Sequence, residues 1–271
     1  MTEPFLPAAA IVPLAFVFGA LIGSFLNVVI WRVPQALSVV RPASACPSCG
    51  HEIAWYDNIP IVSWLVLRAR CRSCGAHISV RYPLVEAGTG LAFALVVGAA
   101  YLGMYPFAVL PAILYWAAVG IALTLIDLDH HRLPNAIVLP SYLVTAALLV
   151  LASVLTGEYE RLLSAAIGGA ALYVLYWLLA VGYRGGMGFG DVKLAGVLGM
   201  LLGWLGWAAL VVGAFSAFLL GGIVGVALMI GRRATRKSRI PFGPFMIAGA
   251  AVGVFAGRPI ADLYLTVTGL A

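Results

Sequence analysis

Two stretches of this chain hold carboxylates where an apolar protein has reason to avoid them. Ile126-Asp127-Leu128-Asp129 closes one long apolar run, and Gly188-Phe189-Gly190-Asp191 opens another. An ionisable group in or at the edge of a membrane span is costly and marks a functional site by default. Two such acids facing one membrane surface can share a proton, and a half-protonated pair suits peptide-bond hydrolysis by an activated water. The bland alternative is a helix-capping aspartate. That alternative has force for Asp191, at a helix N-terminus where the dipole favours an acid, and less for Asp127, at a C-terminus where it does not. The same dipoles predict that Asp191 starts ionised and Asp127 protonated. Gly188 and Gly190 allow close approach and unusual dihedrals where the helix begins. The run from Gly185 to Gly190 also resembles a phosphate-cradling loop, but it lacks the preceding strand that gives such a loop meaning. Asp129 points to another helical face and is read as solvated, and His130 and His131 as interfacial. Glu86 is either an acid at a helix start or a substrate contact.

A second constellation is Cys46-Pro47-Ser48-Cys49 with Cys71-Arg72-Ser73-Cys74, which together hold all four cysteines. They fall in residues 33–83, the only stretch long enough to form a domain outside the membrane. So small a domain needs a staple, and four thiolates around one zinc ion supply it. In a reducing compartment paired CxxC motifs read as metal sites and not as disulfides. Four sulfurs leave no open coordination position, so the zinc is structural; His51 and His77 are not needed as ligands.

The elements that must position these residues follow from composition. Hydrophobic residues make up 63% of the chain and charged ones 10%, against roughly 25% charged in a soluble domain. The apolar runs are continuous and about 20 residues long, which predicts helices and excludes a β-barrel. The fold class expected is all-α: a polytopic membrane bundle of about eight transmembrane helices, at residues 8–31, 84–104, 106–127, 134–156, 161–183, 190–206, 207–231 and 243–265. Gly203 and Gly206 mark the turn that separates the sixth span from the seventh. Domains are expected at 1–32 (first helix), 33–83 (zinc-binding loop) and 84–271 (membrane peptidase domain). Met1 to Pro7 has no Lys or Arg, so no cleavable signal peptide is expected.

The net charge of +6 is read as a topology signal and not as nucleic-acid binding. Fourteen Lys and Arg residues fall on one set of loops, and only Arg161 and Arg258 on the other. That bias makes the first set cytoplasmic, with the zinc loop, Asp127 and Asp191 on that side and both termini outside. The basic run Arg232 to Arg239 is read as topology plus contact with anionic lipid. Gly19-x-x-x-Gly23 is read as packing within the chain.

With these residues in view, the chain resembles the type IV prepilin leader peptidases, bifunctional GxGD membrane aspartyl proteases that are also N-methyltransferases. The matching stretches are Gly23-Ser24-Phe25-Leu26-Asn27-Val28-Val29-Ile30, both CxxC pairs, Trp55-Tyr56-Asp57-Asn58-Ile59-Pro60 and Arg81-Tyr82-Pro83-Leu84-Val85-Glu86. Further on come Asp127 through Leu133-Pro134-Asn135, and Gly188-Phe189-Gly190-Asp191-Val192-Lys193. The resemblance implies Asp127 and Asp191 as catalytic pair, the signature at Gly188 to Asp191, a cytoplasmic zinc loop and S-adenosylmethionine as methyl donor. It also implies a bacterial inner-membrane location and prepilin or pseudopilin substrates of type IV pilus or type II secretion systems. One departure stands out: Ala69-Arg70-Cys71 occupies a stretch that in the family tends to begin with glycine and is linked to methylation. The alternatives to this reading are a GxGD intramembrane protease without methyltransferase activity, a monofunctional methyltransferase, and a non-enzymatic assembly or transport protein whose paired acids carry protons or cations.

Overall fold

A backbone in hydrocarbon must satisfy its own polar groups, so long apolar runs become helices. The computed structural model describes residues 7–182, 187–232 and 240–269, and among these the regular structure is helical. Glu3, Arg184, Gly185, Gly186 and the basic run from Arg233 to Arg239 lie outside the described residues. Eight long helices match the eight expected spans one for one: α1 (Ala8–Arg32), α3 (Arg81–Tyr101), α4 (Leu110–His130), α5 (Asn135–Thr156), α6 (Glu160–Gly182), α7 (Phe189–Leu205), α8 (Trp207–Ile230) and α9 (Gly243–Thr268). A five-residue helix, α2 (Val62–Val66), lies in the loop after α1. Seven of the long helices are long and apolar enough to cross a membrane. The eighth, α7, has 17 residues, about 26 Å at 1.5 Å per residue, slightly less than a hydrocarbon core of about 30 Å.

The break between α7 and α8 falls at Gly206, whose φ of 125° and ψ of 165° suit glycine alone. Gly203 has a different task from the one expected. It lies inside α7, where a methyl group would come within 2.5 Å of the Ser164 carbonyl on α6. The third span also runs to His130, further than expected, so Asp127 sits within the last turn of α4 and is not its final residue.

The chain divides into two compact units, Met1–Met104 with Ile113–Ala122, and Tyr105–Ala112 with Leu123–Ala271. The first is built on α1 against α3. A methyl on Gly19 would meet the Thr89 carbonyl at 2.8 Å, and one on Gly23 the Glu86 Cα at 2.7 Å. The small-residue pattern therefore serves packing within the chain, as its sequence predicts. The second unit is arranged around α7, which is buried along nearly its whole length. Gly168 and Gly169 bring α6 onto the α7 backbone, and Trp204 on α7 donates its indole N–H to the Ser153 hydroxyl on α5 at 2.8 Å. The result is that α7, which carries Asp191 near its start, is packed by helices on several sides.

Candidate active site and metal centre

Asp191 is the third residue of α7, and its side chain is only 8% exposed. Its Oδ2 accepts the Gly188 N–H at 3.1 Å, while its own N–H donates to the Gly188 carbonyl at 3.1 Å. The capping role that the sequence offers as the bland reading is thus real: this acid satisfies an orphan donor of its own helix. Gly190 is needed for a different reason. A Cβ there would stand 3.1 Å from the Cβ of Leu133.

Asp127 is 4% exposed on the last turn of α4. Its Oδ2 accepts the N–H of Gly243, the first residue of α9, at 3.0 Å. That bond corrects the dipole argument. Asp127 ends its own helix, but its carboxylate rests on the N-terminus of α9, so both acids see a helix N-terminus and the dipoles no longer separate an ionised Asp191 from a protonated Asp127. The two carboxyl groups lie within electrostatic reach of each other, in one compact unit. Asp129, His130 and His131 are exposed, as expected. His131 adopts a left-handed φ of 51° and closes α4 by donating its N–H to the Asp127 carbonyl at 2.8 Å.

Gly243 escapes a reading that searches for reactive side chains, because it acts through its backbone. A methyl there would stand 2.8 Å from Asp127 Oδ2. Phe242 before it joins Phe218, Tyr176 and Phe245 in a cluster with ring centroids 5.3 to 6.2 Å apart, which fixes where α9 begins. The signal was Pro241-Phe242-Gly243-Pro244-Phe245: a glycine followed by a proline in the first helical turn. Leu133 also escapes. It lies between both holding segments, against Gly190 and with its Cδ2 3.2 Å from where a Gly243 Cβ would be. Nearby, Lys193 donates to Asn135 Oδ1 at 3.0 Å and stands 5.3 Å from the Phe189 ring centre, tying the start of α5 to the start of α7. The Tyr142 hydroxyl adds a second tie, donating to the Lys193 carbonyl at 2.7 Å.

In the first unit the four cysteine sulfurs lie within 4.8 Å of one another, with Cys46 and Cys74 Sγ 3.8 Å apart. A tetrahedron with metal–sulfur bonds of about 2.3 Å has edges of about 3.8 Å. All four are free cysteines. They sit on two matching knuckles: Gly50 N–H donates to the Cys46 carbonyl and Gly75 N–H to the Cys71 carbonyl, each at 2.9 Å. Both glycines have left-handed φ, 71° and 73°, and the C-x-x-C-Gly repeat was the sequence signal for them. N–H groups of Ser48 and Cys49 aimed at Cys46 bring its thiol down to about 6. At Cys74 the Ala76 N–H favours the thiolate, but Cys49, burial and the other thiols outweigh it and push the group up to about 11. Four sulfurs this close ionise together only around a cation, so the donor set fits a tetrahedral metal. His51 and His77 contribute backbone to the knuckles and are not in the cluster.

The loop is tied down by groups that spacing does not reveal. Arg72, inside the second knuckle, grips Asp57 with two bonds of 2.7 and 2.6 Å, and that guanidinium holds the Asp57 carboxyl below its usual range. Glu86 is buried on α3, where it accepts the Ile61 N–H at 2.7 Å and bonds the Ser24 side chain of α1. Its observed role is a bridge between loop and helix pair, which neither reading of the sequence anticipated. Ala69 has a φ of 58°, a left-handed conformation that glycine adopts freely. The methyl that departs from the resemblance therefore strains the backbone.

Two family descriptions and a set of named relatives match this chain. Residues 17–100 match the bacterial peptidase A24 N-terminal domain, and residues 112–226 the type IV leader peptidase family. A prepilin leader peptidase/N-methyltransferase of Aeromonas hydrophila is 38% identical, with 93% of each chain covered. One of Pseudomonas aeruginosa is 36% identical over 98% of this chain and 99% of its own. One of Myxococcus xanthus is 42% identical over 79% of this chain and 62% of its own. No solved structure is a significant match. On matches that cover nearly its full length, this chain belongs to the type IV leader peptidase family.

Proposed function

We propose that this protein is a multi-pass membrane aspartyl endopeptidase that cleaves the leader from type IV prepilins or pseudopilins and N-methylates the new N-terminus. What supports the peptidase reading is that Asp127 and Asp191 lie in one compact unit, both buried, each with Oδ2 on a backbone N–H, and with Leu133 between the segments that hold them. In this reading the pair shares one proton and meets substrate through its carboxyl oxygens, since two close carboxylates do not both ionise cheaply. The ionised member takes a proton from water as the water attacks the scissile carbonyl. The protonated member hydrogen-bonds that carbonyl oxygen and later protonates the leaving amine. No acyl-enzyme forms. The arginine bias supports a cytoplasmic site and loop, in a bacterial inner membrane.

Cys46, Cys49, Cys71 and Cys74 would hold a zinc ion, which stabilises residues 33–83 and takes no part in the reaction. The relatives' names carry an N-methyltransferase activity, for which the resemblance implies S-adenosylmethionine as methyl donor. The apolar cavity among α6, α7, α8 and α9, lined by Leu172, Tyr176, Leu198 and Met246 among others, has a volume of only about 10 Å³ and does not fit it. No step is derived through the donor. Functionally the division remains residues 1–32, 33–83 and 84–271, with α3 packed on α1.

Detergent-solubilised protein incubated with a purified prepilin and labelled methyl donor should release the leader and then label the new N-terminus. Intact prepilin after prolonged incubation would overturn the peptidase reading, and cleavage without label the methyltransferase one.

A further inference from the structure

The short helix α2 is amphipathic in the wrong sense for a protein facing water. Ser63 points inward, with its hydroxyl donating to the Tyr56 carbonyl and accepting the Ile59 N–H, both at 3.0 Å. Trp64 is half-buried and donates its indole N–H to the Ile78 carbonyl at 3.1 Å. The other face carries Val62, Leu65 and Val66, spaced i, i+3, i+4 and exposed by 51, 61 and 70%. Just before it, Trp55 and Tyr56 are exposed by 81 and 51%. Large apolar side chains exposed together on so short a segment mark a contact.

The backbone that presents this face is strained and pinned. Ile61 has φ 63° and ψ −50°, and Val62 N–H donates to the Pro60 carbonyl at 2.6 Å. This is a γ-turn in its rare left-handed form, centred on a β-branched residue. Glu86 holds it through the Ile61 N–H, and Glu86 itself belongs to α3, a helix that can span the membrane. The aim of α2 is thereby fixed to the α1–α3 pair.

The charges around the face say what covers it. Arg41, Arg68 and Arg70 are exposed, while of the two acids in residues 33–80 Asp57 is taken by Arg72, leaving Glu52. The loop emerges between two spanning helices, so a lipid surface lies at both its ends. We propose that α2 is an interfacial anchor. Val62, Leu65 and Val66 sit at the boundary of headgroups and acyl chains, Trp55 and Tyr56 sit at headgroup level, and Arg68 and Arg70 meet anionic headgroups.

The test uses the full protein in vesicles, with a photo-crosslinking amino acid placed by codon reassignment at position 62, 65 or 66, so that the native cysteines are untouched. Exposed Glu52 is the control position. Illumination should give lipid adducts at all three positions, severalfold more than at 52. The yield should be greater in phosphatidylglycerol than in phosphatidylcholine vesicles, and that excess should vanish in Arg68→Gln/Arg70→Gln. Adducts to an added prepilin or to a second copy of the chain, or no excess over position 52, would overturn the proposal. Lipid adducts indifferent to headgroup charge would overturn its arginine half.

Discussion

The cysteine loop and the aspartate pair are built on opposite plans. In the loop the reactive atoms and the backbone that aims them are neighbours in sequence: each C-x-x-C is followed by the glycine that closes its knuckle. At the acids, the atoms come from α4 and α7, and although Gly188 holds Asp191 locally, the other groups that hold the pair come from α9 and from the α4–α5 connection. A local site can therefore lose one ligand and collapse by itself. A dispersed site is sensitive to any residue that shifts one helix against another.

That contrast can be broken at either end. Exchanging Cys46 or Cys71 for Ser, or stripping metal with a chelator, should unfold the loop within residues 33–83, because the binding energy of such a site is folding energy. The spanning helices should persist, and limited proteolysis should cut the loop while far-UV circular dichroism keeps its helical signal. A loss of the spanning helices as well would refute the locality of this site.

Gly243→Ala places a methyl 2.8 Å from Asp127 Oδ2. Cleavage should fall by about 10²-fold, as for a misplacement of about 1 Å at a reacting group, with metal content unchanged. Unaltered kcat would mean that the Gly243 N–H does not aim Asp127. Leu133→Ala removes the side chain between Gly190 and Gly243. A smaller loss is expected, about tenfold in kcat with little change in KM, together with a shifted pH–rate profile because the spacing of the acids changes. A thermal destabilisation with an unchanged profile would reduce Leu133 to ordinary packing.

Two smaller effects belong to the loop. Ala69→Gly should stabilise it by about 1 kcal/mol by releasing a left-handed alanine, read from its proteolytic half-life, and should leave cleavage untouched. Asp57 gives the pH dependence. Its carboxyl is held low by Arg72 in the folded loop, so its stabilisation is present above the ordinary carboxylate range and is lost as pH falls through the depressed value. The loop of Asp57→Asn should be less stable at neutral pH, and its stability should change less on acidification. Equal pH dependence in both forms would remove the Arg72 pair from the account.

Legibility in the sequence follows the same divide. The eight helices were readable because hydrocarbon permits little else, and the cysteine cluster because its ligand spacing is local. Asp127 and Asp191 were readable because a carboxylate is conspicuous in an apolar run. What held them was legible only at Gly188, beside Asp191 in sequence: Gly243 works through a main-chain N–H, Leu133 through its position, and neither has a chemical signature. Asp127 departs from the dipole expectation for the same reason: its own helix ends there, but the N-terminus of α9 meets the same carboxylate. Glu86 was conspicuous as an acid, but its partner Ile61 is a strained backbone N–H that no residue type announces.

The central claim is that the two acids act as one unit. The most direct measurement is the cleavage rate of a purified prepilin by Asp127→Asn, Asp191→Asn and the double variant, with metal content as the control for folding. Each single variant should lose about 10³-fold or more, and the double variant no more than either, since members of a catalytic unit are not additive. Appreciable turnover in either single variant, or losses that multiply, would contradict it.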